Sequence, residues 1–535
     1  MAEKVAVVNI KKSQVTSKKS QELFLDNAAN EIFFGVVGHV GSGTSEVAKT
    51  LHDLLEDDSL PGGAFDVEIL KARDIIKIWA KENGHALPED NSADLDDVTK
   101  LQDYGDLMRK ENTDYTAVAR GLILRVRETR ADKKGEESDS DIPILPDGKR
   151  RAYILDSIRH PAEVLLLRRI YQEAFALVGV VCEEEVRLRR IEKKYDNAGE
   201  RRAKEFMKRD SKATEKFGQR VSDAFHLSDF FLDNSLEKKH ADGSANEDWT
   251  INEDLSRFIK IISHAEIVRP KSDETAMYHA YGAQMRSACL SRQVGAALVS
   301  KEGNVVAVGS NEVPRAGGGV YGEGFDASKD ERCAYKAIAG VEPYCSNTKE
   351  QNKIIDDLIE KIPELSKVDD ERKKILIKEL RDSKIGSLIE FSRAVHAEMD
   401  AILTATRQGV STIGCRLFVT TFPCHYCARH IVTTGIDEVQ FIEPYLKSKA
   451  LDLHHDSIQK KITDWKAPSD GGERVLFRPF TGVAPRLYRR AFLKDRDLKD
   501  NDTGTFKISA PEWGSPWHLS GTSYVQLEAE LKKND

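Results

Sequence analysis

Apolar residues first crowd together at Glu31–Val37 (EIFFGVV), a run that stops at Gly38 and predicts a buried strand. Ser45–Glu56 (SEVAKTLHDLLE) follows with apolar residues three and four apart, the spacing of a helix that lays one face on a core. Ala152–Leu155 (AYIL) and Ala176–Val181 (ALVGVV) predict two further buried strands, and strands alternating with helices at this spacing predict a parallel α/β sheet. Asp132–Asp141 (DKKGEESDSD) is charged and free of aromatics, which predicts a loop or disordered insertion.

A second α/β region is expected from near Thr275. Val294–Ser300 and Val305–Gly309 flank the charged turn KEGN and predict a hairpin. Arg416–Thr420 and Glu438–Ile442 are further strand candidates. The pattern divides the chain into a flexible N-terminus (1–28), a first α/β domain (29–236), a linker (237–270), a second domain (271–495) with a charged insertion (326–390), and a C-terminal extension (496–535). The linker assignment rests on Glu237–Asp254, rich in charge and turn formers.

Composition narrows the functions. With 40% hydrophobic and 32% charged residues over 535 positions, the chain is a soluble globular type, long enough for several cores. The formal charge of −8 argues against general nucleic-acid binding, whose affinity comes from excess positive charge. No apolar run approaches the ~20 residues that span a bilayer, so no membrane partner is expected. The N-terminus has no apolar stretch with a small-residue cleavage site, and seven scattered cysteines do not make a disulfide framework. A reducing cytoplasm is the expectation.

One constellation carries chemistry: His396-Ala397-Glu398 followed by Pro423-Cys424-His425-Tyr426-Cys427. One imidazole and two thiolates suit Zn²⁺ and leave a fourth tetrahedral place open. Pro423 is expected in the first turn of a helix. Cys424 and Cys427 then share one face at its positive end, which favours thiolates. His396 would open a second helix, with Glu398 near enough to exchange a proton with water without being a ligand. A zinc site closed by His425 or His430 would be structural instead, but would leave Glu398 unexplained. H-x-E…P-C-x-x-C is the signature of zinc nucleobase deaminases.

Residues 277–492 resemble the deoxycytidylate deaminase branch of the cytidine deaminase superfamily, through SRQVGAALVS (291–300), VGSNEVPRAGGG (308–319), HAEMDAIL (396–403), LFVTTFPCHYCARHIVTTGIDEVQFIEPY (417–445) and LHHDS (453–457). The resemblance implies an αβα sandwich around a mixed sheet, with zinc at two helix N-termini. It also implies that Asn311 holds the deoxyribose and that Val294, Thr421, Phe422 and Tyr445 line the substrate pocket. Arg292, Arg315, Lys447 and Lys449 are candidate phosphate partners. Cys289, Cys333 and Cys345 are candidates for a second, structural zinc of the kind some members carry. The block RPFTGVAPRLYRRAF (478–492) is expected to serve packing or an oligomer contact.

In the first domain, Gly38-His39-Val40-Gly41-Ser42-Gly43-Thr44-Ser45 fits the phosphate loop G-x-x-x-x-G-K-S except that Thr44 replaces the lysine. Gly38, Gly41 and Gly43, with the helix end at Thr44 and Ser45, could cradle a nucleoside triphosphate with Mg²⁺. Without the lysine, phosphoryl transfer should suffer badly. Residues 154–170, 177–191 and 201–210 resemble P-loop nucleotide kinases, with Asp156 at a strand end and Arg159 as a substrate clamp. A regulatory nucleotide is favoured over an active kinase.

A kinase-like domain ahead of such a deaminase is the arrangement of bacterial antiphage dCTP deaminases. That resemblance implies hydrolysis of dCTP or dCMP, depletion of dCTP in defence, a homo-oligomer, and restraint by a regulatory nucleotide or an inhibitory partner. The competing expectation is a cytosine deaminase acting on RNA or single-stranded DNA, which needs a basic groove with aromatic platforms. A further class is a nucleotide sensor without turnover.

Overall fold

In a computed structural model the described residues are 29–506 apart from 61–62, 90–91, 139–141, 212, 214–215, 241, 264–265, 323–329, 336–341, 446–447, 463 and 495–497. The expected flexible N-terminus (1–28) and most of the C-terminal extension lie outside them.

Two six-stranded sheets organise the chain. Five strands of the first are β1 (Glu31–Gly38), β2 (Asp66–Lys71), β3 (Arg151–Ile158), β4 (Phe175–Val181) and β5 (Phe230–Asp233). They run parallel in the order β2-β3-β1-β4-β5, and a sixth, antiparallel strand borders β5. All eight residues of β1 are buried because the strand is central, with Phe34 opposite Ile154 on one side and Ala176 on the other. An apolar run without alternation is what such a strand requires. Its one charge, Glu31, is matched by Arg130, which donates to both carboxylate oxygens at 2.7–3.1 Å.

The second sheet holds β6 (Gly295–Val299), β7 (Val305–Ser310), β8 (Arg416–Thr421), β9 (Glu438–Glu443), β10 (Ile458–Gln459) and β11 (Val475–Pro479), in the order β10-β11-β9-β8-β6-β7. β6 and β7 form the expected hairpin, its turn made by Gly303 at φ 89°, and β8 runs antiparallel to β6 while β8, β9, β11 and β10 run parallel.

Two expectations change. Within the expected linker lies the helix Ile251–Ile262, which buries Leu255, Phe258, Ile259, Ile261 and Ile262. The charges of 237–254 obscured this apolar face, whose spacing is helical. The charged stretch after Asp132 begins as the end of the helix Ala117–Lys134, where Lys133 pairs with Asp66 and Glu68; its last three residues lie outside the described ones. The block 478–492 does pack within the chain: β12 (Gly482–Val483) adds antiparallel to β5, and the helix Pro485–Phe492 follows. Phe480, Val483 and Leu487 thus join a core cluster that also contains Phe34, Phe258, Met277, Ala297 and Phe418. One continuous apolar core therefore ties the two sheets together. The insertion is helical at Ser346–Lys361 and Asp370–Asp382, and the latter helix buries none of its residues. No helix of the described residues is long and apolar enough to cross a membrane.

Candidate metal centre

His396 caps the helix Ala397–Arg407, and Cys424 caps the helix His425–Thr433. The first helix lies directly on β7: a Cβ on Gly309 would meet the Ala397 carbonyl oxygen at 2.1 Å and the Ala401 nitrogen at 2.4 Å. A β-bridge between Glu312 and Val395 aims the chain into it. In the second helix the Cys424 Sγ accepts the Cys427 N–H at 3.5 Å. Pro423 therefore precedes the cap instead of occupying the first turn, because the sulfur takes the capping role.

The His396 Nδ1 lies 3.3 Å from Cys424 Sγ and 3.4 Å from Cys427 Sγ. In a tetrahedral zinc site, bond lengths of about 2.3 Å to sulfur and 2.0–2.1 Å to nitrogen put those atoms about 3.6 Å apart. The three side chains fit the metal. Among the described residues they are the only His, Cys, Asp or Glu group of three or more whose ligand atoms fall within 4.8 Å of one another, and neither His425 nor His430 joins it. Cys289, Cys333 and Cys345 line one small cavity but do not form such a group.

Glu398 is 4% exposed, in the first turn of the helix that His396 caps. Burial, reinforced by the Cys424 thiolate, raises its pKa to about 7. A hydrogen bond from Cys427 leads the causes that draw Cys424 down to about 4, and His396 adds to it. Burial opposes charge on His396, but Cys424 and Glu398 together lift its pKa to about 9.

Four of the expected substrate residues, Val294, Asn311, Thr421 and Tyr445, come from separate segments that meet around residues 292–294. Asn311 is 7% exposed, its Oδ1 accepting the Val294 N–H and its Nδ2 donating to the Arg292 carbonyl, both at 2.6 Å. Its amide is thus committed to shaping residues 292–294. Thr421 donates to Glu443, which pairs with Arg292 at 3.3 Å, and Arg292 sits 5.8 Å over the Tyr445 ring. Val294, Phe422 and Tyr445 pack on the core cluster that holds Ala397, Cys424 and Cys427. Glu443 was missed from sequence; it lies two residues before Tyr445 in the same run, where an acidic surface group gave no signal of its own.

A cleft of about 320 Å³ opens beside His396 and Cys427, lined by Glu390, Ser392, Met399 and His430 among others, and by none of the five expected substrate residues. Arg315 faces a separate cleft of about 500 Å³ with Arg286 and Arg407; Lys449 pairs with Asp452; Lys447 lies outside the described residues. Asp400, also missed, is buried two residues past Glu398 and accepts the Ser310 N–H.

In the first sheet, Gly38 ends β1 and Thr44 opens the helix Thr44–Leu55, with Gly41 and Gly43 at φ 80° and 84°, where side chains are strained. Ser45 donates to Asp156 at 2.7 Å, and Arg159 donates to the Gly38 carbonyl.

Residues 270–443 match the family described as the cytidine and deoxycytidylate deaminase zinc-binding region. The deoxycytidylate deaminase of Enterobacteria phage T2 is 31% identical over 178 residues, covering 33% of this chain and 81% of that protein. The deoxycytidylate deaminase of Enterobacteria phage T4 is 32% identical over 178 residues, covering 33% and 79%. The apo crystal structure of the dCMP deaminase of cyanophage S-TIM5 aligns over 40% of this chain and 100% of that one, at 17% identity and a TM-score of 0.21, too low to inform the fold. With a zinc-binding family region over its His/Cys/Cys group and a phage relative matched across most of that protein's length, the chain belongs to the deoxycytidylate deaminase family.

Proposed function

We propose that the chain hydrolyses the exocyclic amine of deoxycytidine nucleotides, dCTP or dCMP, to give deoxyuridine nucleotides and ammonia. The observation that carries this reading is the buried Glu398 carboxylate in the same helix start as His396, beside the His396, Cys424 and Cys427 group. His396, Cys424 and Cys427 would hold zinc, which when bound supplies a water that ionises near neutral pH. Glu398 takes one proton from the attacking water and delivers it to ring N3, then takes the proton of the new C4 hydroxyl and passes it to the leaving amine, which departs as ammonia. A C4–O bond forms and the C4–N bond breaks. In this reading Asn311 and the loop it holds, with Thr421, Phe422 and Tyr445, would line the base and sugar.

The parallel order β2-β3-β1-β4-β5, with the glycine loop at the C-terminal end of the central strand, supports reading residues 29–236 as a kinase-like nucleotide-binding domain. Thr44 in the lysine position favours regulation over phosphoryl transfer. Draining dCTP would starve phage DNA synthesis, and we assign the activity to that defence, with the loop or an inhibitory partner restraining it.

Incubating purified zinc-loaded protein with dCTP, dCMP, CTP and a cytosine-containing oligonucleotide, and measuring ammonia, tests the reading. Turnover of a free deoxycytidine nucleotide is expected. Turnover confined to the oligonucleotide would replace the proposal with a nucleic-acid deaminase.

A further inference from the structure

The glycine loop is already filled by groups of the chain itself. The Val40 N–H donates to Asp210 Oδ2 at 2.9 Å, and Arg159 donates to the other oxygen of that carboxylate at 2.6 Å while also reaching the Gly38 carbonyl at 3.2 Å. Asp210, near the end of the helix Glu200–Ser211, is 0% exposed. A carboxylate so buried is costly unless its oxygens are fully paired. Its two partners here, a loop backbone N–H and a guanidinium, are the donor types that bind phosphate oxygens.

Other groups close the rest of the loop. Asn234 Nδ2 donates to the Ser42 carbonyl at 2.9 Å, and a Cβ on Gly43 would meet that nitrogen at 2.3 Å. His39 is half-buried and held neutral, and bonds Ser222 at 3.0 Å, and Ser222 in turn bonds Ser211 at 2.7 Å. Two polar atoms are left over. Ser42 Oγ, on a residue 1% exposed and folded back over Gly38, has no hydrogen-bond partner among the described residues, and neither has Arg187 Nε, although the Arg187 backbone packs on Gly41. The Arg159 guanidinium, the charge of Arg187 and a spare hydroxyl thus gather around the Asp210 carboxylate.

We infer that Asp210 is a resident anion of this loop, standing where a phosphate oxygen of an incoming polyphosphate would sit, so that the ligand binds by displacing Asp210 and inheriting the Val40 N–H and Arg159. The inference rests on reading the loop as a phosphate site and adds how that site is regulated. Displacement lowers apparent affinity by the fraction of time the loop is free. It also releases the end of the helix Glu200–Ser211, together with the Ser211–Ser222–His39 string, so occupancy of the loop is passed to a neighbouring element.

The test is calorimetric titration of the zinc-loaded full chain with sodium tripolyphosphate and Mg²⁺, wild type against Asp210→Asn. The asparagine keeps an acceptor for Val40 but loses the charge that holds Arg159. Binding at least tenfold tighter than wild type is expected, and adding Arg159→Ala should abolish the gain. If both proteins bind equally, the inference falls while the phosphate loop stands. If neither folded protein binds at millimolar tripolyphosphate, the phosphate-loop reading falls as well. Should Asp210→Asn fail to fold, hydrogen exchange of wild-type peptides spanning residues 200–211 decides. Faster exchange with tripolyphosphate supports displacement, and slower or unchanged exchange overturns it.

Discussion

Glu398 and His396 are two residues apart at a helix start, which keeps the carboxylate beside the ligand group without joining it. Glu398→Gln preserves shape and hydrogen bonding but cannot shuttle a proton. It should cut kcat by about 10²–10⁴-fold, with zinc content by metal analysis unchanged. Cys427→Ser should instead lose zinc and activity together. His39 makes stability depend on pH. Burial, with Arg187 and Arg159 beside it, lowers its pKa from 6.5 to about 3, so the folded chain holds the imidazole neutral. Above pH 6.5 that preference costs nothing; below it the unfolded chain gains the proton first, and stability falls by up to about 1.4 kcal/mol per pH unit. His160, lowered to about 4 mainly by burial, adds to the same trend. The thermal midpoint should drop between pH 6.5 and 5, and drop less in His39→Gln. Identical profiles for the two proteins would exclude His39 as a source.

Among elements, the pairing of β7 with the helix Ala397–Arg407 decides where Glu398 sits. Gly309 has no room for a methyl group against the helix backbone. Gly309→Ala should cost about 1–3 kcal/mol in denaturant unfolding through overpacking. Because the displaced helix carries both His396 and Glu398, kcat should fall as well, out of proportion to the stability lost. Gly295, whose added Cβ would lie 1.9 Å from the Ala280 carbonyl oxygen, plays the same part for the helix Ser272–Gln284.

Across the whole molecule, Glu274 is a junction. It is 0% exposed, takes two bonds from Arg257 at 2.7 and 2.8 Å, accepts the Lys271 N–H that starts its helix, and accepts the Val483 N–H from β12. Glu274→Ala would strand a largely buried guanidinium and a backbone donor, and should cost about 3 kcal/mol. Since the core runs through both sheets, the loss should appear as a downward shift of one calorimetric transition, not as early melting of one half. Chelating zinc should likewise lower the thermal midpoint, and re-adding Zn²⁺ should restore it.

The sequence alone determined what local chemistry can write. The apolar run 31–38, the hairpin around Gly303, and the His396, Glu398, Cys424 and Cys427 spacing all depend on neighbours a few residues apart, so periodicity and motif expose them. What only the tertiary structure decided depends on distant partners. A helix face hidden behind charged flanks became core at 251–262, and a C-terminal strand joined the first sheet. Asn311 spent its amide on a loop, and Asp210 entered a glycine loop 170 residues away. A polar side chain shows its type in the sequence, but its partner is chosen by packing, because only burial makes leaving it unpaired costly.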